Sequence, residues 1–462
     1  MKLIFWTLFS LNILWSIPYC TATNPPAHIT LFPQQKEQVI DGFGVAQAGW
    51  ADKLYEHHER TQIMNSLFGK DGLCLSILRG EIFPQSPVDT TDESLKRKAQ
   101  LWISHFAQDS CKVDKLIFST WSPPAYMKSN GKVSHGFLKP EYYQAFAEYL
   151  VAFCKAYEEA GLKVYAISPS NEPGYEAPWN SCKWTPEQMG NFLTKHLAPT
   201  FKQHCPNVQI IYGENPTWST ARHPMLQGIS SEKFVNAILN KYPEIKGYPY
   251  IASGHGYGIP LSDYFKDPKD VATPIIPYTK AVERGQNVWV TEISSIDPLD
   301  TGIENGLQWA TNFHKYLAEA NVNAFVWWGG AMPTSNNESL IVLDKDKENY
   351  SFTKRYETFG NYTRYIPVGS YRIHTENKNL PEGVLASAFI KSKQYTAVVV
   401  NPTDKQITCR INLKDARIEG KIETYTTTKE KKWHKGYITP KTKYYVVTLL
   451  PKSVTTLVGN IN

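Results

Sequence analysis

Residues 163–173 read KVYAISPSNEP, a short apolar run that ends in a polar tip of turn-forming residues. A run of about four to eight apolar and β-branched residues bounded by turn formers is typical of a strand buried on both faces. Glu172 then lies at the carboxyl end of that strand. Residues 287–294, NVWVTEIS, repeat the design and place Glu292 at the end of another strand. The two stretches predict parallel strands that each end in a carboxylate.

Strand-like and helix-like segments alternate from residue 41 to residue 369. Buried strands are predicted at residues 42–45, 73–78, 115–119, 163–167, 208–212, 250–253, 287–291 and 323–328. Helical spacing occupies residues 60–68, 93–108, 140–160, 186–197 and 306–320, and Thr185 is a candidate N-cap. The alternation predicts an α/β fold, a closed (β/α)8 TIM barrel over residues 41–369. An open doubly wound sheet is the alternative, but no GxGxxG fingerprint follows any of these strands.

The helical pattern stops after the barrel. Residues 386–389, 395–401, 409–413, 421–427 and 444–450 are short, alternating segments bounded by turns. They predict a C-terminal β-sandwich over residues 370–462. Residues 23–40 hold one or two further strands, and the one near residues 29–31 is expected to join this sandwich.

Residues 1–22 combine Lys2, a long apolar stretch and a small-residue end, which is typical of a secretory signal peptide rather than a membrane anchor. We expect cleavage after Ala22. A lipid anchor at Cys20 is the less favoured alternative, because Tyr19 stands where a small residue would be expected. The mature protein is expected to be secreted, periplasmic or on the cell surface, with no integral membrane segment. We also expect it to be a monomer.

The chain has 462 residues, a formal charge of +6 and no long basic run, so nucleic acid is not indicated as a partner. Of its seven cysteines, six follow the signal peptide without a dense framework, and their pairing stays open. Cys74 and Cys154 lie in apolar surroundings and are expected in the core. Neither CxxC nor HExxH occurs, so no metal and no cofactor is expected. Asn337, Asn349 and Asn361 begin N-glycosylation sequons.

In (β/α)8 barrels the active site is built at the carboxyl ends of the strands. Glu172 and Glu292, on strands four and seven, can be placed about 5 Å apart, as the acid/base and the nucleophile of a retaining glycosidase are. Glu172, as the acid, must then have a raised pKa because of its partner's charge and apolar walls. The alternative is that both are solvated loop carboxylates. Among the competing carboxylates, Glu81, Glu176 and Glu214, the best substitute is Glu214, which also follows a strand.

Other residues at strand ends are candidates for substrate binding. Arg79 is expected to hold Glu292 ionised, with an ion pair to Glu81 as the alternative. Asn171 is placed to bond a sugar hydroxyl or the nucleophile. The remaining candidates are His255 and Tyr257, as hydrogen-bonding groups, and the tryptophans Trp121, Trp327 and Trp328, as sugar platforms or, alternatively, as packing at the barrel rim.

These motifs resemble glycoside hydrolase family 30 along the whole mature chain. The resemblance is carried by GFGVAQAGW at Gly42, LSILRGEI at Arg79, STWSPPAYMKSNG from Ser119, SPSNEP at Glu172, GHGYG at His255, VTEIS at Glu292, VWWGG at Trp327 and FGNYTRYIPVGSYRI from Phe359. It implies a retaining (β/α)8 barrel with an attached β-sandwich, with Glu172 as acid/base and Glu292 as nucleophile. The segment NEPGYEAPWNSCKW, from Asn171, is similar to the xylanase branch rather than to the glucosylceramidase branch.

One loop departs from the glucuronoxylan-specific members of this family. Those members carry an arginine and a tyrosine after the tryptophans of strand eight, which grip a glucuronate side group, whereas residues 329–335 here read GGAMPTS. Arg222 or Lys183 could supply a cation from elsewhere.

Together these features predict a secreted retaining β-glycosidase, endo-acting on xylan without strict glucuronate dependence. The alternative is an endo-β-1,6-galactanase or glucanase, or another β-glycosidase of the same family. A non-catalytic carbohydrate-binding protein is the alternative of a different class. In each case the expected partner is a β-glycan polysaccharide.

Overall fold

The computed structural model describes residues 27–85, 94–219, 229–246, 248–257, 274–346 and 348–462. The predicted signal peptide, with Cys20, and Arg222 lie outside these ranges. The described chain opens with strand β1 (Ala27–Val39).

Eight parallel strands close into a barrel. They are β2 (Gly42–Ala46), β3 (Ile77–Ile82), β4 (Lys115–Thr120), β5 (Val164–Ser168), β6 (Gln209–Tyr212), β7 (Tyr250–His255), β8 (Asn287–Glu292) and β9 (Ala324–Trp327). Each strand pairs with its neighbour in the chain, and β2 pairs with β9 to close the ring. The predicted TIM barrel is confirmed.

Apolar side chains fill the interior of the barrel and support the strand ends. Ile117, Ile251 and Trp289 belong to one buried cluster drawn from different strands. The strands also approach closely, because a Cβ at Gly44 would lie 2.4 Å from the carbonyl oxygen of Ile77. Glycine at this position therefore lets β2 pair with β3.

Helices surround the barrel between its strands. The α-helices are α1 (Ala51–Tyr55), α2 (Arg60–Phe68), α3 (Leu95–His105), α4 (Tyr143–Glu159), α5 (Pro186–Phe192), α6 (Ala198–His204), α7 (Ser231–Lys241), α8 (Thr279–Glu283), α9 (Ile303–Ala318) and α10 (Lys354–Thr363). Helices α3 and α5 continue as π-helical turns, Phe106–Ser110 and Leu193–Leu197, and short 3-10 turns lie at Ala125–Met127 and Pro140–Tyr142. Thr185 caps α5 in a capping box with Gln188, as its position predicts.

One strand boundary differs from its prediction. The strand expected at residues 73–78 begins only at Ile77, because the chain is still turning after α2. The backbone amide of Leu73 donates to the carbonyl of Ser66, and Cys74 has a left-handed φ of 55°. Cys74 is consequently half-buried rather than a core residue, whereas Cys154 is buried as expected.

A small three-stranded sheet follows the barrel. It contains β10 (Gly329–Met332), β11 (Ser339–Leu343) and β12 (Tyr350–Phe352). Strand β10 runs parallel to β11, so residues 333–338 form the connection between them.

The remaining strands form a nine-stranded sheet together with β1. They are β13 (Tyr371–Lys378), β14 (Leu385–Lys391), β15 (Gln394–Asn401), β16 (Ile407–Leu413), β17 (Ile418–Thr427), β18 (His434–Ile438), β19 (Tyr444–Leu449) and β20 (Ser453–Ile461). Strand β1 pairs antiparallel with β13 and parallel with β16, so the two ends of the described chain share one sheet. Buried side chains from both halves of the sheet, including Ile29, Val399 and Ile411, meet in one core.

This sheet packs against the barrel through α10. The Asn361 amide donates to the carbonyl of Tyr425 and to Thr456 Oγ1, both at 3.0 Å, and accepts from Thr427 at 2.6 Å. All six cysteines of the described chain are free thiols. Among the described helices, none combines the length and the apolar character needed to cross a membrane.

Candidate active site

Glu172 and Glu292 meet at the carboxyl end of the barrel. Glu292 is the last residue of β8, and Glu172 follows β5 by a short turn. One oxygen of each carboxylate and a ring nitrogen of His255 all lie within 4.8 Å of one another. Both glutamates are largely buried, with 7% and 5% of their surface exposed. This separation is that of the two carboxyl groups of a retaining glycosidase, about 5–5.5 Å, rather than the wider spacing of an inverting one.

The backbone of Glu172 is held in an unusual conformation. Its φ is 47°, in the left-handed region, although Pro173 follows it, and a proline ordinarily forces its predecessor into extended backbone. Its amide donates to the carbonyl of Glu214 at 3.0 Å, and Glu214 has a φ of 45°. Left-handed backbone at two neighbouring strand ends directs these carboxylates inward. This conformation costs conformational free energy, as strained residues at functional sites often do.

Arg79 connects four polar groups beneath the cleft. Its Nη1 donates to Glu292 Oε2 at 2.5 Å, its Nη2 to Asn171 Oδ1 at 2.8 Å, and its Nε to Ser119 Oγ at 3.2 Å. A second ion pair joins Nη2 to Glu214 Oε1 at 3.4 Å. The predicted contact with Glu292 is thus present, and the ion pairs of Arg79 go to Glu292 and Glu214 instead of Glu81.

His255 and Tyr257 approach the same two carboxylates from β7. His255 Nδ1 lies 3.1 Å from Glu172 Oε1 and 3.7 Å from Glu292 Oε1. Tyr257 donates its hydroxyl to Glu292 Oε1 at 2.8 Å. Because Arg79 and His255 have no exposed surface, they bind the carboxylates and not a substrate, which corrects their placement among the substrate-binding residues.

Glu214 belongs to the support of the site. It is fully buried, accepts a hydrogen bond from Ser119 Oγ at 3.0 Å, and lies 3.8 Å from His255 Nε2. Burial raises its pKa, but the charges of Arg79 and His255 outweigh burial and lower it to about 2. Glu214 is therefore a permanent anion without access to the cleft, and it does not replace Glu172 or Glu292. The sequence offers no signal for this role except its place after a strand.

Burial favours the protonated form of Glu172, against the cations beside it. Burial raises the pKa of Glu172, opposed by the hydrogen bond from His255. Burial lowers the pKa of His255, but Glu292, Glu172 and Glu214 together raise it to about 9. The cations Arg79 and His255 balance the anions Glu214 and Glu292, so the neutral form of Glu172 leaves this buried group without net charge.

The three candidate tryptophans have different surroundings. Trp121 and the half-buried Trp328 lie with their ring centroids 6.1 Å apart, and Trp121 lies 4.9 Å from the guanidinium carbon of Arg79. Trp327 is fully buried, with its ring centroid 4.4 Å from Trp309 of α9. The prediction that Trp327 is a sugar platform is wrong, because side chains alternate along a strand and its ring faces the helices.

The remaining candidates, Glu81, Glu176, Lys183 and Asn171, have other partners. Burial raises the pKa of Glu81 to about 7, and Asn180 hydrogen-bonds to it. Glu176 pairs with Lys183 at 3.0 Å on the surface, so this lysine is already engaged outside the cleft. Asn171 is largely buried, with its carbonyl oxygen on Arg79.

Glu172, His255 and Glu292 form the one group of potential metal ligands found within the described ranges. Their surroundings oppose a cation, because the guanidinium of Arg79 lies on Glu292 and a pKa of about 9 keeps the His255 ring protonated at neutral pH. The arrangement instead suits proton transfer and nucleophilic attack at one sugar carbon.

The family model for O-glycosyl hydrolase family 30 matches residues 78–342, which include both glutamates. The chain belongs to glycoside hydrolase family 30. It is similar to glucuronoxylanase XynC of Bacillus subtilis, with 24% identity over 96% of this chain and 94% of the relative.

Among solved structures, the catalytic domain of xylanase C from Talaromyces cellulolyticus superposes with a TM-score of 0.78, at 23% identity over 94% of this chain and all of that one. An endo-β1,6-glucanase superposes with a TM-score of 0.72, at 19% identity over 94% of this chain and 93% of that one. These likenesses establish the family 30 fold of a barrel with an attached sheet domain, and the family makes the protein a β-glycosidase.

Proposed function

We propose that this family 30 enzyme is a retaining, endo-acting β-glycosidase that hydrolyses xylan outside the cell. The observation that carries the proposal is the approach of Glu172 and Glu292 to within 4.8 Å, with Arg79 on the second carboxylate and a raised pKa on the first. The predicted signal peptide at residues 1–22 supports export.

The geometry supports a two-step reaction. Glu292 attacks the anomeric carbon as the bond to the leaving oxygen breaks, and Glu172 gives its proton to that oxygen. In the second step Glu172, now a carboxylate, takes a proton from water while the water oxygen displaces Glu292 from the sugar. His255 stabilises Glu172 in its charged form between the steps, because its ring nitrogen lies 3.1 Å away.

Xylan without obligatory glucuronate is the substrate that the site favours. The segment NEPGYEAPWNSCKW supports the xylanase branch, and residues 329–335 contain no cation to hold a glucuronate group. The backbone at Gly329 is also too closely packed to carry a side chain, because a Cβ there would lie 2.8 Å from the carbonyl oxygen of Glu338. Activity on β-1,6-linked glucan or galactan alone, within a panel of β-glycans, would instead support the alternative of an endo-β-1,6-glucanase or galactanase.

The assignment of the two glutamates is tested with an aryl β-xyloside whose leaving group needs no proton. We expect Glu292→Ala to abolish turnover and Glu172→Ala to retain the first step, since only the nucleophile is then required. Proton NMR of the first product should give the β-anomer. An α-anomer, or equal loss in both variants, would reject the retaining assignment.

A further inference from the structure

The loop of residues 333–338 carries one acidic side chain, Glu338, and residues 329–338 contain no cation. Glu338 is half-buried at the end of this loop. Asn336 Nδ2 donates to Glu338 Oε2 at 2.7 Å, and the Glu338 amide donates to Asn336 Oδ1 at 3.1 Å. Because the contact is reciprocal, it fixes the direction of the Glu338 side chain.

The backbone around Glu338 is held just as firmly. Trp327 Nε1 donates to the Glu338 carbonyl at 2.7 Å. A Cβ at Gly329 would lie 2.8 Å from the same carbonyl, so the adjacent strand leaves no room for a larger residue there. Asn337, next in the loop, accepts from Arg355 Nη1 at 2.9 Å. This carboxylate is thus presented by a rigid frame, as a specific binding group requires.

The same loop is attached to the segment that follows Glu292. The Leu299 amide donates to the Ser335 carbonyl at 3.1 Å, and the Asn337 amide donates to the Asp297 carbonyl at 3.0 Å. The Trp328 amide donates to the carbonyl of Ile293 at 3.0 Å. Glu338 therefore belongs to the wall on the nucleophile's side of the cleft.

The Glu338 carboxyl accepts a hydrogen bond from the Trp328 side chain. Burial raises its pKa, hydrogen bonds from Asn336 and the Trp328 side chain lower it, and the charge of Glu292 raises it. The carboxyl thus contacts the half-buried Trp328 and is repelled by the charge of Glu292. A sugar lying on Trp328 would have its hydroxyls within reach of this acceptor.

We propose that Glu338 is a specificity-determining residue of the cleft, which accepts hydrogen bonds from an undecorated sugar and repels an anionic decoration. The inference rests on the proposed glycosidase function and deepens it. An anion at this wall meets a fixed carboxylate in a partly desolvated cleft, where like charges interact strongly. The enzyme would then discriminate against glucuronate, and not merely tolerate its absence.

The test compares kcat/KM on three xylo-oligosaccharides of equal backbone length: linear, arabinose-substituted and glucuronate-substituted. We expect Glu338→Gln to raise the glucuronate-to-linear ratio about tenfold, which corresponds to the loss of one like-charge contact. The arabinose-to-linear ratio should not move, because the amide has the same size. Glu338→Ala should raise the glucuronate ratio equally and also lower kcat/KM on the linear substrate several-fold, because it removes the acceptor.

Glu357→Gln is the matched control. Burial raises the pKa of Glu357 as it does that of Glu338, but Glu357 lies on α10 and pairs with Lys354 at 2.7 Å. It should leave all three ratios unchanged. An unchanged glucuronate ratio in Glu338→Gln, with the linear substrate still cleaved, overturns the role of Glu338 alone. Failure of the wild type to cleave any β-glycan or aryl β-xyloside would instead overturn the proposed function.

Ionic strength gives a second measurement that needs no variant. Salt screens the repulsion between charges in a solvent-accessible cleft. Between 0.05 and 0.5 M NaCl, about a two- to fivefold rise in wild-type kcat/KM is expected on the glucuronate-substituted substrate, and none on the linear one. A fall on the charged substrate would point to an attractive cation and would refute the proposal even where Glu338 variants do not fold.

Discussion

His255 Nδ1 lies 3.1 Å from Glu172 Oε1, and this contact couples the protonation of the two side chains. The carboxylates around His255 outweigh its burial and raise its pKa to about 9, so it is a cation at neutral pH. A cation beside Glu172 favours the carboxylate form and therefore limits how far burial raises the pKa of Glu172.

Removal of this cation should move the basic limb of the pH profile. In His255→Gln we expect the basic limb of kcat/KM to shift to higher pH, because Glu172 then loses its proton less readily. The maximal rate should fall, since the carboxylate formed after the first step loses its partner. His314→Gln is the control, as His314 is a buried histidine of α9 whose pKa is lowered to about 4, mainly by burial. A shift to lower pH in His255→Gln would contradict the coupling.

The same histidine should make folding stability depend on pH. Its pKa rises from 6.5 to about 9 on folding, so it contributes stability that is fully present below pH 6.5 and is lost as pH rises through about 9. The free energy of unfolding should decline over this window by an amount on the order of 3 kcal/mol. Urea unfolding at pH 6, 7.5 and 9 measures it. His255→Gln should be less stable at pH 6 and should lack this decline, and equal slopes in both proteins would refute the assignment.

The barrel and the two glutamates were predictable because their signals are local. Strands buried on both faces read as continuous apolar runs, and Glu172 and Glu292 each follow such a run. Strands β13 and β18 were not predicted, since residues such as Glu376 and His434 break the apolar pattern. Strand β20 was also missed, although most of it is buried.

The environment of the glutamates depends on the tertiary fold, which the sequence does not display. Arg79 reaches Glu292 across 213 positions, and Glu214 and Ser119 join them from two further strands. Trp327 and Trp328 are adjacent tryptophans, and the sequence does not say which of the two rings is buried, because that depends on the fold. Glu338 lies in a connection whose one motif, the sequon at Asn337, indicates no binding role, so its neighbours do not mark it as part of the cleft.

Arg79→Lys should separate charge from geometry. Lysine keeps the positive charge but cannot bond Glu292, Asn171 and Ser119 at once, because it lacks the planar fork of the guanidinium. We expect kcat/KM to fall by about a hundredfold or more, which is roughly 2.7 kcal/mol of transition-state stabilisation. Arg372→Lys is the control, since Arg372 is also buried and bonds Gln38 and Asn321 in the region of the sheet domain. It should cost stability and leave kcat/KM within about twofold; a similar loss in both would indicate a general packing effect.

The left-handed backbone of Glu172 should affect the free energy of unfolding of variants at this position. With a φ of 47°, Glu172→Gly should be more stable than Glu172→Ala by about 1 kcal/mol, because glycine adopts this conformation without steric cost. Thermal or urea unfolding of the two inactive variants measures the difference. At Glu176, which is exposed and not among the residues with positive φ, the order should reverse, with alanine favoured. The same order at both positions would mean that Glu172 stores no strain.

Only one of the three sequons should accept a glycan in a eukaryotic secretory host. Asn337 is largely buried and accepts hydrogen bonds from Arg355 and from the amide of Asp300, and Asn361 is fully buried between α10 and the sheet domain. Asn349 is exposed, so its amide is accessible to a glycosyl transferase on the folded surface. Intact-mass measurement before and after deglycosylation should report a single glycan that disappears in Asn349→Gln.

Because sequons can be modified before folding is complete, the variants Asn337→Gln and Asn361→Gln supply the check: each should lose stability, by about 1–3 kcal/mol, without any loss of glycan mass. A glycan lost from either variant would mean that modification outpaces burial at that site.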